Sequence, residues 1–265
     1  MPSPHPPGTR KRFAEVVRRE PVDVATALVL LAAEAAPPDA DDAERVPLVP
    51  TLAHLDALAA DARADVAVAV EQGRGAADGL RRALGERAGF GGGEQDYGDV
   101  RASLLPEVLG RRRGLPILLG VVWVEVARRL DVPAHCLATP GHVLVLVDGR
   151  LVDPFAGGRA VPDPGGRAAA YGRLEPLPLL LRVTANLRAL SGRLHDPRLG
   201  LWACELGLLL PHHPLSLRRE HGLLLARAGR FAEGAAELES YAEVAIGEDA
   251  AAAAAEARTA RARLN

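Results

Sequence analysis

Aromatic residues are scarce in this chain, at 3% of 265 positions: four Phe, three Tyr and two Trp, alongside a single Met. A core must therefore be built from Leu, Val and Ala. Cysteine is nearly missing as well. Cys136 and Cys204 stand 68 positions apart, which makes neither a disulfide framework nor a metal site with ligand-like spacing. No metal or cofactor is implied, and a reducing cytoplasm is the expected compartment. Lys11 is the only lysine. Arginine carries the remaining positive charge, and with abundant Ala, Gly and Pro this points to a high-GC genome rather than to a function. A basic surplus is lacking too: net charge is −2 with both signs interspersed, so the footprint of a nucleic-acid binder is absent. The longest apolar run, Leu115 to Val124, is stopped by Glu125 well short of a membrane span. No secretory signal is expected either, because no apolar run follows MPSPHPPGTRKRF.

What is present is enough for one large domain or two modest ones, with 48% hydrophobic residues. Residues 1–12 are Pro-rich and polar and are expected to be disordered. Residues 13–92 read as a helical layer. Val22 to Ala36 is apolar nearly all round, and Pro37-Pro38 would end it. The acidic stretch Asp39 to Val49 reads as a loop, with Thr51 as the cap of a helix bearing Leu52, Leu55 and Leu58. A further helix covers Ala76 to Gly85, and Gly89 to Gly93 reads as a breaker and soft boundary. Ser103 is the expected cap of a helix opening at Pro106-Glu107. Residues 93–166 form the expected core, and Val161 to Gly166 a turn-rich linker. Leu177 to Leu181 could be a strand or a helix start, and residues 176–265 read as helical. There, Leu199 and Ala203-Cys204-Glu205-Leu206 align with Phe231 and Ala235-Ala236-Glu237-Leu238 at an offset of 32, near the period of tetratricopeptide helix pairs.

The chemistry gathers between Arg111 and Gly158. Pro116 suits the first turn of a helix, where its missing N–H does no harm. Asp148-Gly149 is a strong two-residue hairpin signal. Such a turn pairs Val147 with Arg150 and Val145 with Val152, and so brings Leu144 opposite Asp153. Alternate residues share a face, which places His142 and Asp153 on the same side as diagonal neighbours, within hydrogen-bond reach. An Asp orienting a His is the second half of a nucleophile–base–orienter arrangement. It could equally be a satisfied strand-end histidine beside an Asp-Pro turn.

The run RRRGLPILLG, with Tyr97 and Ser103-Leu104 before it and Pro140-Gly141-His142 and Val152-Asp153-Pro154-Phe155 after it, resembles the transglutaminase-like superfamily in its SirB-type bacterial branch. The resemblance covers roughly residues 13–262. It implies an α+β, mainly helical protein: a papain/transglutaminase-like core of one helix and a small antiparallel sheet, a helical N-terminal layer, and tetratricopeptide-like helices at the C-terminus. Active members place a Cys at the start of the helix, then a His and an Asp on successive strands. Here that position is Pro116, followed by Ile117, and neither is a nucleophile. His142 and Asp153 are then the catalytic pair or its vestige, and Arg113, Gly114 and Tyr97 are candidate binding residues. Register turns Cys136, opposite Val145, away from His142. Ser103 is a remote alternative nucleophile. The leading expectation is a non-catalytic or regulatory binder of a peptide or protein, with no nucleic-acid or membrane partner. The other is a hydrolase or acyltransferase using His142 and Asp153 with an unorthodox nucleophile.

Overall fold

A computed structural model of the chain describes residues 7–35, 47–163 and 171–264. The fold is mainly helical with one small antiparallel sheet, and it divides into two compact units, 1–179 and 180–265. The expected regions 13–92 and 93–166 thus lie within one unit.

The first unit begins with α1 (Pro7–Val16) and α2 (Val24–Glu34). Irregular chain was expected through residue 12, but α1 starts at Pro7, and Phe13 and Val17 bury their side chains completely or nearly so. Positions 1–6 and most of the expected acidic loop lie outside the described residues. α3 (Leu48–Glu71) starts three residues before Thr51, so Thr51 is an interior, buried residue and not a cap. No side chain caps this helix, and Pro50 in its first turn has no N–H to satisfy. α4 (Ala76–Leu80) continues as a π-helix over Arg81–Arg87. Two 3₁₀ segments, Glu94–Gly98 and Val100–Ser103, lead into α5 (Leu105–Arg111). Its cap position is Leu104, so Ser103 does not cap it.

Helix α6 (Pro116–Arg129) is the centre of this unit, with eleven of its fourteen residues buried. It runs against a sheet ordered β1 (Ala134–Thr139), β2 (His142–Val147), β3 (Arg150–Asp153), β4 (Arg159–Ala160). The pairings Val147 with Arg150 and Val145 with Val152 are those the Asp148-Gly149 turn dictates. Thr139 pairs with His142 and Cys136 with Val145. Gly120 lets sheet and helix close up, since a methyl there would sit 3.0 Å from the Cys136 Sγ. Removing the fully buried Trp123 ring from α6 would cost about 3–5 kcal/mol.

The second unit is helical: α7 (Pro176–Leu194), which enters from the first, then α8 (Pro197–Leu209), α9 (Ser216–Arg227), α10 (Phe231–Val244) and α11 (Glu248–Ala262). The choice at Leu177 to Leu181 falls to helix. The offset of 32 superposes α8 on α10: Ala203 and Leu206, and their counterparts Ala235 and Leu238, are all fully buried. Gly229, at φ 82°, closes the α9–α10 turn in the left-handed region that suits glycine.

Candidate functional site

His142 is the first residue of β2, placed there by the tight turn at Gly141, whose φ is 68°. Asp153 ends β3 and caps the 3₁₀ turn Pro154–Ala156. The His142 Nε2 lies 3.0 Å from Asp153 Oδ1, and the same oxygen accepts from the Phe155 and Ala156 N–H groups at 3.0 and 3.4 Å. Burial works to raise the Asp153 pKa, but the bond and charge of His142 and the two N–H donors outweigh it and hold the carboxyl below its ordinary range. An ionised carboxylate only accepts, so His142 Nε2 is the donor in this bond. The side chains are 27% and 17% exposed, so the pair is neither sealed nor freely solvated.

Phe155 and His142 meet in a T-shaped arrangement with ring centres 5.8 Å apart, and the Tyr97 ring lies equally far from Phe155. Tyr97 is 39% exposed, and burial together with the Asp153 charge raises its pKa. The loop bearing Asp153 and Phe155 is seated by glycines. A methyl on Gly85 would collide with the Gly157 carbonyl, one on Gly92 with the Phe155 ring, and one on Gly158 with the Trp123 indole. Gly92 also donates to the Phe155 carbonyl at 2.9 Å. Sequence reading took Gly89 to Gly93 as a breaker and missed this seat. The only signal was the density of glycine on both sides of the contact.

The three arginines before α6 do not act as a cluster. Arg113 reaches Asp96 at 3.2 Å, and Asp96 is 2% exposed and also accepts from the Gly93 N–H at 2.7 Å. Arg111 holds Asp99 at 2.8 Å, while Arg112 adopts φ 57° and its carbonyl accepts from Gly91 at 3.1 Å. Gly114 fits because any methyl there would sit 2.6 Å from Val108. Arg113 thus holds Asp96, the neighbour of Tyr97. Pro116 is the first residue of α6 and is buried.

Neither cysteine joins the pair. Cys136 points to the α6 face of the sheet, beside a cavity of about 110 Å³, and burial pushes its thiol up to about 12. Cys204 is buried in the second unit, with its thiol raised to about 12, chiefly by burial. Ser103 is 1% exposed, and its hydroxyl has no hydrogen-bond partner among the described residues. Among those residues no group of three or more His, Cys, Asp or Glu could hold a metal ion, and no helix is long and apolar enough to cross a membrane.

The order of elements (a buried helix, then a His and an Asp on successive strands) coincides with a family match over residues 50–177. These residues belong to the transglutaminase-like superfamily. Residues 187–265 match a tetratricopeptide repeat. A UPF0162 protein of Xylella fastidiosa is 35% identical over 184 residues, 61% of this chain and 65% of the relative. A UPF0162 protein of Pseudomonas aeruginosa is 34% identical over 136 residues, 46% of this chain and 50% of its own. Mouse F-box only protein 21 is 26% identical over 136 residues, 44% of this chain but 22% of its own. The match therefore spans less than two thirds of these relatives. No solved structure matches the chain significantly. Within this domain His142 and Asp153 are hydrogen-bonded across neighbouring strands, and Pro116 opens the central helix.

Proposed function

We propose that this is a SirB-type protein of the cytoplasm in which the transglutaminase-like domain binds a peptide or protein partner without turning it over. Pro116 carries the reading. A papain-type mechanism needs a thiol at the helix start, where partial positive charge favours the thiolate. Pro116 offers neither thiol nor N–H there, and both cysteines are buried elsewhere. The oriented imidazole and the half-exposed Tyr97 supply hydrogen-bonding and ring surface for a ligand. Repeat helices add a second recognition surface.

The test pairs a cysteine-reactive activity probe with a photo-crosslinker in place of Tyr97. The expected result is a discrete crosslinked partner and no His142-dependent labelling. Labelling of Cys136 that disappears in His142→Ala would sink the proposal. The 3.0 Å His142–Asp153 bond favours the second reading, a hydrolase or acyltransferase using that pair with an unorthodox nucleophile. That reading requires p-nitrophenyl acetate turnover lost in His142→Ala, with acetyl trapped on Ser103.

A further inference from the structure

The cavity of about 110 Å³ beside Cys136 lies wholly within the first unit, since its lining ends at Leu179. Four pieces of chain build it. Val24 comes from the start of α2, Val121 and Val124 from α6, and Leu174, Pro176 and Leu179 from the stretch entering α7. The fourth is β1, the edge of the sheet, and residues 172–174 run along it. The Ala138 N–H donates to the Gly172 carbonyl at 3.0 Å, and the Leu174 N–H to the Cys136 carbonyl at 2.9 Å. Main-chain bonds therefore fix the wall at Leu174.

The polar groups of the wall offer no uncommitted charge. Arg173 and Glu175 pair with each other at 3.1 Å. Glu125 is 8% exposed, and its Oε2 accepts from Arg128 at 2.9 Å and from Arg129 at 2.5 Å. Burial, and after it the Arg173 charge, lower the His135 pKa, while burial pushes the Cys136 thiol up to about 12, so both are neutral at neutral pH. One hydrogen-bonding atom is left over: Glu125 Oε1 accepts from no described residue. A charged ligand would give up its hydration for counter-charges that are already taken. A neutral aliphatic one would exchange water for valine and leucine surface. Size sets the other limit. An apolar cavity of about 150 Å³ takes benzene, so this smaller one holds roughly five non-hydrogen atoms.

We propose that this cavity binds a small neutral aliphatic molecule with one hydrogen-bond donor, in its simplest form a short branched alcohol. Its hydroxyl donates to Glu125, and its methyl groups fill the space between Val121, Val124 and Leu174. The site goes beyond the partner-binding reading and does not depend on the His142 corner.

The test uses the full chain with ¹³C-labelled valine methyls, titrated with 2-methyl-1-propanol and followed by NMR. The Val121 and Val124 signals should shift and saturate, with a Kd on the order of 1 mM. Isobutyrate and isobutylammonium share the carbon skeleton but carry a charge of either sign, and should bind at least about tenfold more weakly. Val124→Phe places a ring in the space and should abolish binding of the alcohol. Leu174→Ala enlarges the space and should move the preference about tenfold towards benzyl alcohol, a readout that stands even if the Phe variant does not fold. Shifts that fail to saturate in the native chain, or equal binding of the charged analogues, would overturn the proposal. So would full affinity in a folded Val124→Phe variant, or an unchanged preference in Leu174→Ala.

Discussion

The His142 corner and the arginine-lined groove of the repeat unit are built by opposite means. In the corner, main chain does the positioning. Strand register puts the two residues on one face, backbone N–H groups fix the carboxylate, and glycines let three segments touch without side chains between them. In the groove, long arginine stems reach from helices that themselves pack through buried Ala and Leu. Fixed main chain holds two atoms at one separation, which suits a single geometry. Long stems cover a wider surface, and Arg188 and Arg219 are held by Glu220 and Glu256 on other helices. The first unit thus holds a His–Asp pair through its main chain, and the second presents arginine side chains from its helices.

The comparison can be broken first through the repeat core. Leu206 and Leu238 are equivalent across the 32-residue offset and both fully buried. Each Leu→Ala change should cost about 3 kcal/mol in chemical denaturation, with the pair matching to within about 1 kcal/mol. Strongly unequal costs would mean that the two helices are not structural counterparts. The next largest effect belongs to the corner. Gly85→Ala must displace the Gly157 carbonyl, and should cost about 2 kcal/mol and shift the His142 ring resonances in NMR. Unmoved resonances would show that the loop is not seated by this approach of backbones.

How much of this was legible depended on the range of the interaction. The hairpin register could be read because Asp148-Gly149 fixes it locally, and the His142–Asp153 contact follows from a period of two. The repeat was visible because Ala203 and Leu206 recur as Ala235 and Leu238. The Arg113–Asp96 pair could not be read, because Asp96 lies seventeen positions away across an irregular segment with no periodicity. Gly85 and Gly157 likewise meet only in three dimensions, and the π-helix that carries Gly85 has no sequence signature of its own. Thr51 and Ser103 failed as caps for a related reason. A good capping residue says where a helix can start, and both of these helices instead carry a proline, Pro50 or Pro106, in a first turn that opens earlier.

A smaller effect separates the two regions by pH. The folded Asp153 carboxyl lies below its ordinary value, so the stability it contributes is present above the unfolded pKa, about 3.9, and is lost as pH falls through the lower folded value. The difference in denaturation midpoint between wild type and Asp153→Asn should therefore be full at neutral pH and shrink towards zero in acid. A difference that grows in acid would mean the carboxyl is neutral in the fold, and the dyad would lose its orienting charge.

The smallest expected signal comes from the thiols, where the two units should behave alike. Cys136 lies on the sheet face turned from His142, Cys204 lies among the repeat helices, and burial holds both at about 12. At about pH 8 an ordinary thiol is substantially ionised, whereas both of these stay protonated and shielded. Iodoacetamide should leave both unlabelled in the native protein and modify both once it is denatured. Labelling confined to native Cys136 would mean that the sheet exposes its α6 face, and the proposal of a site without a nucleophile would then fail. Equal protection of the two would leave Pro116 at the head of α6, with no accessible thiol in either unit to take the place of a helix-start cysteine.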